Sequence, residues 1–437
     1  MSGLRAHDRD WLLALLSVPT VSPLEGGDLA GFSRAQGLFA GGAAERGLAL
    51  RRWDSPPPDE LDRPDVPAPV RAAAGRDRAG WLAAQPSVVV GVGGPQPTAR
   101  RMVLNFHLDT VGPHIPPTLG HGVVRGRGAV DDKGPGVAAV VGVAQALAED
   151  PSLARDIEVL VASVPGEEGG AMGVHGTRWL VESGCVGRLM VFAEPTGCRA
   201  LDACSATMTP VVSVRGHDST DDRPTEGHNA TTALGFLAVR LTERLGPLAE
   251  RLGARVCVSG LRTGESHNRV HGTGELKLNI AYHDTAAAEE LAVAVERAVA
   301  ESGAEFAERF AGNPLTRTLL ADWSRVVRLD WVKRGLPPLA NRDAAMEAVL
   351  GAAGLPRHDG VADGTAFTCD AIWAPDRDRY VVACGPGLLG RDGAHTPDEH
   401  VRLDDLDTYA DRVRALVHAF GAHVRDRAAT DHPRSQG

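Results

Sequence analysis

Apolar residues recur along this chain in two rhythms. Near the start, Trp11, Leu12, Leu15 and Leu16 share one face at helical spacing and Pro19 follows as a stop, which predicts a helix over Asp8–Val18. Phe32–Leu48 predicts a second helix. Ser55–Ala73, rich in Pro, Asp and Arg, predicts a surface loop or insertion with little potential to join a core. Continuous apolar runs then appear at Ser87–Val92, Met102–Phe106, Ile157–Ser163 and Leu189–Ala193, as expected of strands buried on both faces. Between them lie helical stretches, Gly136–Leu147 and Gly173–Glu182, and this alternation predicts a layered α/β domain with a largely parallel mixed sheet.

The texture changes near Ala206. Pro210–Val214, Arg255–Leu261 and Glu275–Tyr282 are strand-like, and Ala230–Leu252 and Ala286–Phe310 are long helical patterns. That order predicts a compact α+β unit inserted into the larger domain. After about Leu315 the α/β texture is expected to resume, with a helix at Ala344–Ala353, a strand at Tyr380–Cys384, a closing helix at Leu403–Phe420 and a loose tail from Arg425 to Gly437.

A chain of 437 residues can bury a large core and supports two domains. Its formal charge of −10 gives no reason to expect nucleic acid or an anionic membrane as partner. Nearly all the basic residues are Arg, which reads as a compositional bias and not as a binding surface. The apolar run Trp11–Val18 is too short for a signal or membrane segment, so a cytoplasmic location is expected. Six cysteines without paired spacing predict reduced thiols, mostly buried.

Candidate chemistry sits in five short segments: Val103–Val111 with His107 and Asp109, Gly126–Gly134 with Asp131 and Asp132, Gly166–Gly170 with Glu167 and Glu168, Glu194-Pro195-Thr196, and His395–Glu399. Each follows a strand-like run or lies beside a Gly-rich turn, where an open α/β sheet presents its ligand-binding edge. Taken singly, Glu167-Glu168 would be a solvated pair, Asp131-Asp132 an acid pair at a helix start, and His395 a loop histidine. Their joint occurrence points to a two-metal hydrolytic centre. Catalytic zinc takes about three protein ligands and leaves a place for water, and imidazole nitrogen and carboxylate oxygen are suitable donors. If Glu168 coordinates metal, Glu167 stays free to move a proton. Asp109, on the same strand face as His107, could hydrogen-bond the imidazole and raise its basicity.

With these motifs the chain resembles the dinuclear zinc amidohydrolase family of aminoacylase, acetylornithine deacetylase, succinyl-diaminopimelate desuccinylase and carboxypeptidase G, over nearly its whole length. The resemblance implies a catalytic metal-binding domain at 1–205 and 314–437 and a lid or dimerisation domain at 206–313. It implies one zinc on His107, Asp131 and Glu194, another on Asp131, Glu168 and His395, and a cis peptide between Asp131 and Asp132. It further implies attack of a zinc-bridged hydroxide on an amide carbonyl, with Glu167 as base and then acid. Cobalt or manganese could occupy the same donors. Relatives complete the oxyanion site with a lid histidine from a partner subunit; His217 is the nearest match, with His228 and His267 as rivals. Asn268 matches a lid asparagine that touches substrate. The implied partners are a small amide substrate, a second copy of the chain through the lid, and, for a biosynthetic intermediate, a carrier protein.

Several departures bear on substrate. Ala281 stands where relatives carry an arginine for the substrate carboxylate, and Gly364–Ala371 lacks the familiar Gly-Thr-Asp-Ala form. Loss of a bidentate carboxylate partner is not a neutral change. Either the substrate has no free carboxylate at that position, or Arg269 has taken over the task. Gly166 stands where relatives often have Asp, and the link from Asp109 to Asp131 is short, which suggests an altered pocket mouth. A competing reading is a non-hydrolytic descendant that binds a small molecule or forms an amide; Glu167 and the full ligand set oppose it.

Overall fold

The computed structural model describes residues 3–431. They form two compact units, one of Met1–Cys204 with Leu339–Gly437 and the other of Ser205–Pro338.

The first unit is built on an eight-stranded sheet in the order Ala49–Asp54, Ser87–Val92, Glu158–Val164, Arg101–His107, Leu189–Pro195, Tyr380–Gly385, Ala200–Leu201 and Arg357–His358. Its centre is parallel: Arg101–His107 lies between Glu158–Val164 and Leu189–Pro195, and Tyr380–Gly385 continues in the same direction. These strands are the apolar runs of the sequence and are buried almost throughout, as a sheet covered on its faces requires. The helices Ala6–Leu16, Phe32–Glu45, Lys133–Glu149, Ala344–Ala352 and Leu403–Asp431 send their apolar faces into one core with the sheet. Within it Phe39 meets Phe106 edge-on at 5.0 Å, and each such buried side chain contributes roughly 1.5–3 kcal/mol. The parallel direction matters for function, because segments leaving neighbouring strands emerge along one edge.

Two expectations for this unit need correction, and one strand was not foreseen. Ala49–Asp54 is a strand although its residues are mostly exposed; it is the antiparallel edge beside Ser87–Val92, where a one-sided apolar pattern is weak. The segment read as a loop at Ser55–Ala73 contains a short 3-10 turn at Pro58–Asp62 and the start of the helix Ala68–Ala74. With Arg78–Ala83 it forms a small core of Leu61, Val66, Val70, Trp81 and Leu82 packed with Ala171 and Val174. Finally, the closing helix continues to Asp431, and Arg425, expected in the tail, bonds Asp150 and Asp156. Residues 432–437 of that tail lie outside the described residues.

The second unit carries a four-stranded antiparallel sheet in the order Arg255–Arg262, Thr273–Tyr282, Ala206–Arg215, Val327–Lys333. Thr273–Tyr282 alternates exposed and buried positions, and its Leu276, Leu278 and Ile280 face the core. The helices Ala230–Arg251 and Thr285–Arg309 pack on the sheet and on each other. Residues 314–338 belong here and not to the α/β domain. Arg317–Val326 is a helix, and Val327–Lys333 pairs with Ala206–Arg215, so the insertion runs to Pro338. That last strand is largely half-exposed, so it lacks the apolar run that marks a buried strand.

All six cysteines are free; Cys185, Cys204, Cys369 and Cys384 are buried, Cys198 is half-buried and Cys257 exposed. Among the described residues no helix is long and apolar enough to cross a membrane.

Candidate metal centre

Three adjacent parallel strands deliver the first groups. His107 is the last residue of Arg101–His107, Glu194 lies near the end of Leu189–Pro195, and Glu167 and Glu168 follow Glu158–Val164. Between the last strand and its glutamates, Gly166 has φ +79°, and a Cβ there would stand 2.2 Å from the His175 ring. A side chain is thus excluded where relatives often carry Asp. Asp131 and Asp132, joined by a cis peptide, precede the helix Lys133–Glu149, and His395 lies on a later loop at φ +65°.

Asp131 is turned toward both histidines: its Oδ1 is 2.9 Å from His107 Nε2 and its Oδ2 3.1 Å from His395 Nε2. His395 Nε2 is also 3.1 Å from Glu168 Oε1. His107 Nδ1 donates to the Asp109 carbonyl at 2.8 Å, so Nε2 either carries a second proton or presents a lone pair to a cation. Three sets bring one ligand atom per residue within 4.8 Å of one another: Asp131, Glu168 and His395; His107, Asp132 and Glu194; and His107, Glu167 and Glu168. All five expected ligands therefore gather, with Asp132 drawn in beside them.

The electrostatics are those of crowded acids. Burial, followed by the charge of Glu168, holds Glu167 well above the carboxylate range, although part of its surface is open to solvent. Burial likewise raises Glu194 and Asp132. Hydrogen bonds to Asp131 and Glu168 push His395 up to about 10. For His107, burial opposes the extra proton, but the hydrogen bond and charge of Asp131 prevail and hold it well above the usual histidine range. Both carboxylate oxygens of Asp132 are buried without a hydrogen-bond partner among the described residues. Divalent cations would replace the shared protons and satisfy such oxygens. A donor set of imidazole and carboxylate without thiolate suits zinc, cobalt or manganese.

Asp109 departs from its expected contact. Its carboxylate is 4.0 Å from His107 Nδ1, and the main-chain carbonyl takes that bond instead. The carboxylate accepts from the backbone N–H groups of Glu167 at 3.2 Å and Glu168 at 2.9 Å, tying the glutamate turn to the histidine strand.

Two further residues carry weight. Glu399 is buried with Arg127, whose Nη1 donates at 2.5 Å, and its other oxygen accepts from Gly128 N at 2.8 Å, Val130 N at 3.3 Å and Asp131 N at 3.4 Å. It thereby joins the His395 loop to the Asp131 turn. Its place in the His395–Glu399 segment was the only sequence signal. Asp370, in the stretch lacking the familiar form, accepts from Thr177 and is pushed up to about 6 by burial.

The remaining candidates lie in the second unit. His217 is exposed, its Nε2 donates to the Glu226 carbonyl at 2.8 Å, and its ring meets that of His228 edge-on at 4.2 Å. His228 is buried and bonded to Asp322 at 3.0 Å. Asn268 and His267 are exposed, and Arg269 bonds Asp218 at 3.3 Å. Ala281 lies opposite Arg255 and Thr207 in the sheet.

The sequence profile described as Peptidase family M20/M25/M40 matches residues 103–419. A probable carboxypeptidase of Aspergillus clavatus is 30% identical over 178 residues, 38% of this chain and 41% of the relative. A relative in Aeropyrum pernix that carries the name of a LysW-lysine/LysW-ornithine hydrolase is 30% identical over 179 residues, 41% of this chain and 46% of its own length. The chain thus spans under half the length of these relatives. Among solved structures, a Staphylococcus aureus tripeptidase superposes with TM-score 0.66 at 13% identity, covering 97% of this chain and 100% of its own. A dinuclear metal-binding peptidase of Bacillus subtilis superposes with TM-score 0.53 at 12% identity, covering 94% and 96%. At such identities the likeness is one of fold.

Proposed function

The chain belongs to peptidase family M20/M25/M40, and from that membership we propose that it hydrolyses an amide bond in a small acylated amino acid, a dipeptide or a related biosynthetic intermediate. The observation that carries this reading is Asp131, with one oxygen toward each of His107 and His395, beside a glutamate pair of which only Glu167 is partly open. His107, Asp131 and Glu194 would hold one cation, and Asp131, Glu168 and His395 the other, with zinc preferred. Bound there, the cations would supply Lewis acidity toward the amide carbonyl and acidify water. Glu167, poorly hydrated and crowded by Glu168, is suited to take a proton from water and return it to the departing amine. Asp109 keeps it in place through the backbone of the glutamate turn.

In the inserted unit we assign the lid role to His217, because His228 is buried and engaged by Asp322. With Ala281 in place of an arginine, either the exposed Arg269 takes a substrate carboxylate or the substrate has none there. Kinetics on matched substrates with free and amidated carboxyl ends decide this; a strong preference for the free acid that survives Arg269→Ala sinks both versions. The edge strand Arg255–Arg262 exposes Val258 and Leu261, which supports a homodimer through this unit, checked by sedimentation. The names of the relatives, a carboxypeptidase and a LysW-lysine/LysW-ornithine hydrolase, support peptides and amino-acid conjugates as substrates. The reaction itself is tested by a metal-supplemented screen of acylamino acids, dipeptides and carboxyl-blocked amides with Glu167→Ala as control. Retained metal with no hydrolysis across that panel would favour the non-hydrolytic reading.

A further inference from the structure

None of the proposed metal ligands lines a second cavity of the first unit, about 340 Å³ in volume, whose walls include Arg199, Arg391, Arg412, Asp405 and Gly354. Gly354 is required there: its φ is +75°, and a Cβ would fall 1.4 Å from Arg412 Nη1, so the guanidinium rests directly against main chain.

The charges in this cavity do not balance. Arg391 bonds both oxygens of Asp392 and also reaches Asp405 at 2.5 Å, so it is neutralised from within the protein. Arg199 donates to His358 Nδ1 at 3.2 Å, and the Asp363 carboxylate that feels its charge is itself engaged by His358 at 2.7 Å. Arg412 has no hydrogen bond or ion pair among the described residues. Cys198, also in the wall, is held as a thiol, pushed up to about 11 by burial, and adds no negative charge. Three guanidiniums are thus gathered against Asp392 and Asp405, both bonded to Arg391, so that among the described residues no carboxylate bonds Arg199 or Arg412 directly, in a chain whose formal charge is −10. Like charges collected in a cavity repel each other, and planar guanidinium forks match the oxygens of phosphate or carboxylate.

A neighbouring cavity of about 370 Å³ shares Arg199 and Arg391 and continues along Pro195, Thr196, Phe367 and Leu388. It offers room for the less polar body of a ligand whose anionic head sits between Arg199 and Arg412.

We infer that this cavity is a binding site for a small molecule carrying a polyvalent oxyanion, either a phosphate ester or a polycarboxylate. The site is independent of the reaction proposed above. The metal-loaded full chain is titrated calorimetrically with inorganic phosphate, glycerol 3-phosphate and glutarate at ionic strength fixed with chloride. The expected result is one saturable site for at least one probe, weakened tenfold or more in both Arg412→Met and Arg199→Met, with metal content and circular dichroism unchanged. Preference for the phosphates or for glutarate then identifies the head group. Uptake that survives both substitutions belongs elsewhere, for instance on the metal centre, and overturns the inference. So does the absence of saturable uptake of any probe.

Discussion

The two histidines of the candidate centre are held in opposite ways. The His107 side chain is 2% exposed, ends a central strand and is fixed by the Asp109 carbonyl, whereas that of His395 is 53% exposed and sits on a loop. Both converge on Asp131 at nearly equal distance, 2.9 Å and 3.1 Å. One half of the centre is formed when the sheet forms. The other half depends on a loop whose anchor is Glu399. Equal geometry therefore need not mean equal affinity, and the His395 half should be the weaker.

The largest expected effect leaves that inequality untouched. Glu167→Gln should lower kcat by about 10²–10⁴ while two cations remain bound, as elemental analysis beside steady-state kinetics would show; loss of metal would mean that Glu167 supports the ligands as well. Next comes the direct contrast between His107→Ala and His395→Ala. The first should lower both metal content and thermal stability, because it leaves the buried Oδ1 of Asp131 without its partner. The second should retain one cation and an unchanged melting temperature. Equal metal loss in the two variants would remove the asymmetry. The smallest effect is expected from Glu399→Gln, which should weaken metal binding about 10–100-fold on the His395 side and less on the His107 side, since Asp131 serves both. Chelator-release kinetics report it: two phases in the native protein, with the faster phase altered more than the slower in the variant.

Much of this candidate centre was legible in the sequence because its proposed ligands lie at the ends of apolar runs and inside short motifs. The placing of Asp132 beside His107 and Glu194 was not legible, since an acid at a helix start has an adequate local explanation. Glu399 was visible as part of a motif, yet its partners Arg127 and Asp131 come from a distant segment, and local patterning carries no such information. Asp109 was read on the strand of His107, but that strand ends at His107, and the backbone and side chain of Asp109 exchanged the expected duties. Among the elements, the central strands stood out because both faces are buried. Ala49–Asp54 and Val327–Lys333 did not, because edge and half-exposed strands lack that signature. The small core around Leu61 and Trp81 was missed because its few apolar residues are diluted among Pro, Asp and Arg.

The grip of Glu399 on the turn before Asp131 also limits how this centre can be rebuilt elsewhere. A designer who grafts only the ligand side chains onto a foreign scaffold would bring the teeth without the jaw. The turn from Gly126 to Asp131 and the loop from His395 to Glu399 form one transplantable part, to be moved together or not at all.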